Sequence, residues 1–152
     1  MKNPCRYLYL SKILILSVIL LSCEFFKPGE PVEFTTITDY SQMDYPQRAN
    51  FIFQDSATLR AFWKSNSYDT TNIRPPRVNF NDATIICVFM GCRPHNDRAE
   101  IEEIRHFDNE VVVYIKETSN PSDLDMVIFH SHVVTILKTS LPINFEYREK
   151  VD

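Results

Sequence analysis

The residues from Ala83 to Gly91 form an almost unbroken β-branched and apolar run, and a turn signal, Gly91-Cys92-Arg93-Pro94, follows directly. The β-branched content and the glycine and proline that stop the run within about eight residues favour a strand over a helix. A strand with apolar side chains on both faces must be covered on both faces. The run therefore predicts a buried central strand, with the flanking segments as its neighbours and its cover.

One helix is predicted to follow a short strand and to provide part of that cover. Asp55-Ser56 offers an N-cap, and Leu59, Phe62 and Trp63 follow at i, i+3 and i+4 spacing, so these three side chains share one face. We expect the helix to end near Ser65. Trp63 is interpreted as a core residue, because the helical spacing already accounts for its position.

Further strands are predicted along the rest of the chain. The segment 98–107 slips in phase after Ile101, which suits a bulged strand or a short helix, and we expect the bulged strand. Asp108 and Asn109 would supply a hairpin turn, because asparagine tolerates a positive φ. A long proline-containing connection, 66–82, is expected to pack across the edge of the sheet. The remaining predicted strands are 32–38, 51–53, 111–117, 126–137 and 143–147.

These elements predict an α+β fold, a mainly antiparallel sheet of about five to seven strands with one packed helix. The length of 152 residues favours one domain, and 44% hydrophobic residues suffice for a packed core. We expect this domain to span residues 51–152. Residues 23–50 are interpreted as a tether followed by an N-terminal strand or loop, and residues 1–22 as a signal peptide.

The N-terminus has the pattern of a bacterial lipoprotein signal peptide. Three basic residues precede an apolar core, and Leu20-Leu21-Ser22-Cys23 stands where processing would occur. The core, residues 13–21, is far shorter than the roughly 20 apolar residues that span a bilayer. We therefore expect acylation of Cys23 and attachment to a membrane of the cell envelope, inner or outer. An uncleaved N-terminal anchor is the alternative, because residues 7–10 could lengthen the apolar segment.

The charge of the chain argues against nucleic-acid binding. The formal charge is −4, and the first 22 residues hold three basic residues and no acidic ones, so the remainder is more acidic still. No stripe of lysine and arginine marks a face for phosphate backbones.

Cys87 and Cys92 are the cysteines that would remain after processing and acylation. Five extended residues span about 16 Å, whereas the Cα atoms of a disulfide lie within about 7 Å of each other. Pairing would need the chain to double back, so we expect Cys87 to be a small buried hydrophobic residue.

The sequence shows no arrangement of catalytic residues. Gly29 and Gly91 are its only glycines, so a glycine-rich phosphate loop and a Gly-x-Ser-x-Gly nucleophile motif are both absent. His130 and His132 would share one face of a strand, and a metal-binding protein or metal-dependent enzyme that uses them is the alternative function. Because no CxxC or HExxH spacing supports a third ligand, we expect no metal and no cofactor. No nucleophile, base and orienting residue stand at a usable spacing, so we also expect no enzymatic activity.

Four segments carry a resemblance to a known family: the helix ending in Phe62-Trp63, the stretch Pro76-Arg77-Val78-Asn79-Phe80, the run from Val88 to Pro94, and His132-Val133-Val134-Thr135-Ile136. In these segments the chain resembles the C-terminal domain of the PrcB-like family, envelope proteins named after PrcB, a subunit of a surface protease complex. The resemblance covers about residues 51–147. It implies a noncatalytic accessory subunit that binds or stabilises an envelope protease.

The chain departs from the family at two places. Asn79 stands where the family usually has aspartate, and His95-Asn96-Asp97-Arg98 stands in place of a glycine pair before an aromatic residue. The segment after Gly91 is therefore built differently. A partner that contacts this segment in relatives need not be the partner here.

Partner binding is predicted at two kinds of surface. An extended segment of the partner could add to an unpaired border strand of the sheet, and we expect 111–117 or 143–147 to be such a border. The turn after Gly91 would supply specificity through varied hydrogen-bonding groups. Its predicted partner-binding residues are Arg93, His95, Asn96 and Asp97.

Replacing Cys23 with alanine should move the protein out of the detergent phase, because the acyl chains that hold it at the membrane could no longer be attached. Detergent phase partitioning measures the location, and metabolic labelling with palmitate measures the acylation. A membrane-bound alanine variant of unchanged mass, together with an unlabelled wild type, would show the lipoprotein interpretation to be wrong.

Overall fold

Two four-stranded sheets lie face to face, and one helix covers the outer face of the second sheet. The structure is a computed structural model that describes residues 28–37, 45–66, 74–94, 97–119 and 127–148. In chain order its elements are β1 (Glu30–Pro31), β2 (Thr35–Thr36), β3 (Ala49–Phe53), helix α1 (Ser56–Asn66), β4 (Ala83–Pro94), β5 (Arg98–His106), β6 (Val111–Thr118), β7 (Val127–Leu137) and β8 (Ile143–Arg148).

The strands divide between two sheets. Sheet 1 has the order β1-β5-β6-β8, and sheet 2 has the order β2-β7-β4-β3. Neighbouring strands are antiparallel, except that β6 and β8 are parallel. The α+β class, the mainly antiparallel pairing and a packed helix agree with the sequence prediction, although the described residues form eight strands in two sheets. Alternation along a strand shows which face is buried but not which strand lies beside it, so the pattern could not reveal this division.

Strand β4 is buried on both faces, as predicted. The side chains of Ile86, Val88 and Met90 enter the core between the two sheets. Alternate residues of the same strand enter a second core under α1, where Cys87 and Phe89 pack. β4 lies between β7 and β3, and its residues from Ile85 to Phe89 pair with both neighbours.

Gly91 marks a bulge within β4 and not the turn that the sequence predicts. The register with β7 shifts between Phe89 and Gly91, and the strand then continues to Pro94 opposite Val127. Gly91 has a φ of 75°. A Cβ atom there would lie 2.9 Å from the carbonyl oxygen of Pro46, so the site needs glycine for its conformation and for its space.

Strand β5 contains the bulge that the sequence predicts. Its register with β6 shifts between Ile101 and Glu103, and as a result Ala99, Ile101 and Ile104 all enter the core between the sheets. The hairpin to β6 is confirmed as well.

The turn of this hairpin is closed by a hydrogen bond from the N–H of Phe107 to the carbonyl of Glu110, at 2.8 Å. The expectation of a positive φ at Asn109 is wrong, because no described residue other than glycine has one.

Helix α1 follows its sequence signals. Both the N–H of Ala57 and the N–H of Thr58 donate to Oδ1 of Asp55, at 2.9 and 2.8 Å, so Asp55 is the N-cap. These bonds also hold the pKa of the Asp55 carboxyl below its usual value, with those from Thr58 contributing most. Leu59 and Trp63 are buried in the core under α1.

The N-terminal part of the described chain crosses from sheet 1 to sheet 2. Within the segment predicted as a tether, Glu30 and Pro31 form β1 and pair with the end of β5. The predicted strand 32–38 is confirmed only at β2, which pairs with β7. Gly29 lies under the ring of Phe107, where a Cβ atom would approach the ring to 2.7 Å. The predicted signal peptide and Cys23 lie outside the described residues.

Replacing Trp63 with alanine should lower the free energy of unfolding by about 3 to 5 kcal/mol, because the indole is 2% exposed and fills the core under α1. Chemical denaturation measures the change, and Lys64→Ala on the exposed side of the same helix is the control. A loss within the control's scatter, or water-like native tryptophan fluorescence, would contradict the orientation of α1.

Candidate functional site

Strand β8 forms an open border of sheet 1. The N–H of Val111 in β6 donates to the carbonyl of Pro142 at 2.9 Å. Because backbone groups of successive residues point to opposite sides of a strand, those of Ile143, Phe145 and Tyr147 point away from β6. In the described part of the chain no strand pairs with that side of β8.

The sequence predicts two possible border strands, and only one of them lies at a border in the structure. The segment 143–147 lies at the border as part of β8, whereas 111–117 belongs to β6, between β5 and β8. The prediction for 111–117 is therefore wrong. The reason is non-local, because β8 returns from the other sheet and pairs with β6 in parallel, which no pattern within 111–117 indicates.

Strand β8 has an apolar and a polar face. The side chains of Ile143, Phe145 and Tyr147 are half-buried and pack at the margin of the core between the sheets. Asn144 and Glu146 are exposed on the opposite face. A strand added beside β8 would therefore meet half-exposed apolar side chains on one face and polar side chains on the other.

The last residues of β8 are fixed by contacts with both sheets. The hydroxyl of Tyr147 donates to Oδ1 of Asn50 in β3 at 2.8 Å. The guanidinium of Arg48 stacks 3.9 Å from the ring of Tyr147 and pairs with Glu117 at 2.8 Å. Arg148 stacks 3.7 Å from the ring of Tyr114. These contacts hold the C-terminal end of the open border in place.

A network of charges covers the outer face of sheet 1 next to β8. The bulge in β5 brings the carboxylates of Glu102 and Glu103 to one side, and each lies within 3.5 Å of the guanidinium of Arg148. Arg105 donates to Glu103 at 2.7 Å, and this bond holds the pKa of the Glu103 carboxyl below its usual value. The network is solvent-exposed, so we assign it a positioning role for β8 and little stability.

The structure describes two of the four predicted partner-binding residues, Arg93 and Asp97. Arg93 is exposed and lies on β4 opposite Ile128, so it belongs to a strand and not to a loop. Oδ1 of Asp97 accepts a hydrogen bond from the hydroxyl of Ser119 at 2.8 Å, which ties the start of β5 to the end of β6. His95 and Asn96 lie outside the described residues.

His132 in β7 makes a hydrogen bond through each of its ring nitrogens, one to sheet 1 and one within sheet 2. Nδ1 accepts a hydrogen bond from the backbone N–H of Ile101 in β5 at 2.8 Å. The neutral ring therefore carries its proton on Nε2, which lies 3.1 Å from Oγ1 of Thr36 in β2 and donates to it. Sequence reasoning missed this role, because the three residues are far apart in the chain and only the fold brings them together.

Burial lowers the pKa of His132 below its ordinary value, and the nearby carboxylate of Glu100 opposes this effect. The ring borders a cavity of about 570 Å³ between the edges of β5 and β7. His130 lines the same cavity, as the sequence predicts for residues two apart on a strand.

A metal bound to His132 would displace one of its two hydrogen bonds. Across the ranges that the structure describes, no three His, Cys, Asp or Glu side chains are grouped so that they could hold a metal ion. The geometry therefore gives the alternative metal-binding function no support beyond the spacing of His130 and His132.

The two described cysteines are unpaired. Cys87 is buried and Cys92 is exposed. Burial raises the pKa of the Cys87 thiol to about 12, so the protonated form is strongly favoured at neutral pH. The prediction of a buried, apolar role for Cys87 is confirmed.

Asn79 shapes the turn before β4. Its Oδ1 accepts from the N–H of Asn81 at 3.2 Å, and its Nδ2 donates to Oδ2 of Asp82 at 2.5 Å. An ionised aspartate at position 79 could make the first bond but would repel Asp82. Asparagine at position 79 can therefore make both hydrogen bonds beside an aspartate at position 82.

No family model, no curated protein and no solved structure matches this chain. The helix in the described part of the chain lacks the length and apolar character needed to cross a membrane.

Lowering the pH should destabilise the protein through His132. Protonated Nδ1 cannot accept from Ile101, and the unfolded chain, with a histidine pKa near 6.5, takes up the proton more readily than the folded one. This contribution to stability is thus fully present above the unfolded pKa and is lost as the pH falls toward the folded pKa. Urea unfolding of the wild type and of His132→Asn on both sides of pH 6.5 measures it.

His132→Asn keeps an acceptor near Nδ1 but does not titrate, so its stability should fall less in acid than that of the wild type. His132→Ala should lose about 1 to 3 kcal/mol at neutral pH, because the N–H of Ile101 loses its acceptor. His106→Asn, at an exposed histidine of β5, is the control. An equal acid response in all variants would refute a role for His132 in joining the sheets.

Proposed function

We propose that this protein is a lipid-anchored binding module of the bacterial cell envelope, an accessory subunit that stabilises an envelope protease or another surface complex. Acylation of Cys23 would hold the domain at the membrane, where its partner resides. The subunit has no catalytic turnover of its own. The lipoprotein pattern of the N-terminus and the resemblance to the PrcB-like family support this proposal.

The observation that carries the proposal is the open border at β8. Three residues, Ile143, Phe145 and Tyr147, direct their backbone N–H and C=O groups away from β6. An extended segment of a partner can pair with these groups and add a fifth strand to sheet 1. The half-exposed apolar face of β8 would gain cover from alternate side chains of the added strand.

Specificity for the partner would come from residues at the end of sheet 1 where β8 ends. Because β6 and β8 are parallel and β5 is antiparallel to β6, the end of β8 lies at the same end of sheet 1 as the start of β5. Arg93, Asp97 and the residues between them are close in sequence to that start. In this arrangement the backbone of β8 provides affinity and the polar side chains near Arg93 select the partner.

Replacing Ile143 with proline should weaken partner binding more than replacing it with alanine. Both changes remove the isoleucine side chain, but only proline removes an outward N–H and places ring atoms at the border. We expect about tenfold less partner to be recovered with Ile143→Pro than with Ile143→Ala. The measurement is crosslinking in intact cells from a photoreactive residue at position 146, with equal folding checked by circular dichroism.

The crosslinked partner should be one envelope protein with protease activity or a component of its complex, and its abundance should fall when the gene for the present chain is deleted. Equal partner recovery with the proline and alanine variants would show that β8 does not form the interface. Capture of lipid or peptidoglycan alone, or turnover of a small substrate by the purified protein, would overturn the proposed function.

A further inference from the structure

A groove of about 580 Å³ lies between the first half of α1 and the irregular chain that precedes β4. Its volume is within the range of roughly 300 to 1,000 Å³ that is typical of ligand-binding pockets. Its apolar wall is formed by Leu59, Pro75, Pro76, Val78 and Phe80. Three arginines also line it, Arg60, Arg74 and Arg77, and none of its lining residues in the described ranges is acidic.

The arginines of this groove differ from the ion-paired arginines elsewhere in the protein. Arg48, Arg105 and Arg148 each pair with a glutamate. Within the described ranges, neither Arg74 nor Arg77 has a carboxylate within ion-pair distance. In a chain of formal charge −4, several arginines that line one apolar groove and have no carboxylate partner among the described residues indicate an anionic ligand.

Several contacts hold the groove in shape. The Nε and Nη2 atoms of Arg60 donate to the carbonyl and hydroxyl of Ser56, which fixes the guanidinium against α1. Lys138 donates to the carbonyl of Phe80 at 2.6 Å and so anchors the opposite wall. Asp55 precedes the groove in sequence, but its carboxylate is occupied by the helix cap.

The wall opposite α1 is formed by chain without regular secondary structure. Residues 74–79 belong to no strand or helix. Among the described residues, the backbone of Arg77 and Val78 makes no hydrogen bond to either sheet. An extended peptide can pair with such backbone, while its side chains reach the apolar wall and the guanidinium groups together.

We infer that this groove binds an acidic, extended segment of a partner protein, in which carboxylate side chains alternate with apolar ones. The carboxylates pair with Arg74, Arg77 and the free edge of the Arg60 guanidinium, and the apolar side chains cover the half-buried Pro75 and Phe80. The groove lies on the helix side of sheet 2, whereas β8 borders sheet 1. This site is therefore separate from the β8 border and does not depend on it.

The test uses the full chain in a nonionic detergent and a fluorescent peptide, Gly-Asp-Leu-Asp-Leu-Asp-Gly. Fluorescence anisotropy should show saturable binding that is lost in about 1 M salt, where the Debye length falls to about 3 Å. The same peptide with asparagine in place of aspartate should not bind. Arg74→Glu and Arg77→Glu should each weaken binding about fivefold or more, since repulsion replaces attraction.

Lys64→Glu is the matched control, because Lys64 is exposed on the same helix and the variant changes the net charge by the same amount. Binding by the control should equal that of the wild type. Equal weakening in all three variants, or equal binding of the asparagine peptide, would overturn the site.

Loss of binding to phosphatidylglycerol vesicles in the arginine variants, without peptide binding by the wild type, would assign the groove to lipid and overturn the peptide proposal. Intact peptide binding in Ile143→Pro would keep this site distinct from the β8 border.

Discussion

Strand β4 must be covered on both faces, and the rest of the structure supplies the two covers. Its even-numbered apolar residues from Ile86 to Met90 need sheet 1, and its odd-numbered residues from Ile85 to Phe89 need α1 and the chain before β4. Losing either cover would expose a row of large apolar side chains to water, at a cost of about 1.5 to 3 kcal/mol for each. The two sheets and the helix therefore depend on one another through a single strand.

Features written into a local pattern could be predicted from the sequence. The two-faced burial of β4, the cap at Asp55, the core position of Trp63 and the bulge after Ile101 all follow from spacing within about ten residues. The position of β6 inside sheet 1 could not be predicted, because it depends on a parallel partner more than 30 residues further along the chain. Gly91 does not mark the predicted turn, because a glycine at positive φ serves a bulge as well as a turn.

The candidate sites also differ in how far a local sequence pattern indicates them. The alternation of β8 is visible in the sequence, so the strand itself could be predicted. Its place at the border of sheet 1 was one of two possibilities that the sequence left open. The link through His132 joins residues from three strands and has no local signal. In the groove beside α1, Arg74 and Arg77 flank two prolines and could have been noticed together, whereas Arg60 joins them only in the folded chain.

The crossing of the N-terminal segment from sheet 1 to sheet 2 has a mechanical consequence. β1 lies antiparallel to the end of β5, and Val32 and Gly29 add hydrogen bonds to Ile104 and Arg105 beside that pairing. A pulling force on the N-terminal end, directed along β1, would act on these bonds side by side and not one after another. Such a shear geometry shares the load among several bonds, so a chain held by its N-terminus would resist extraction at the point where it enters the domain.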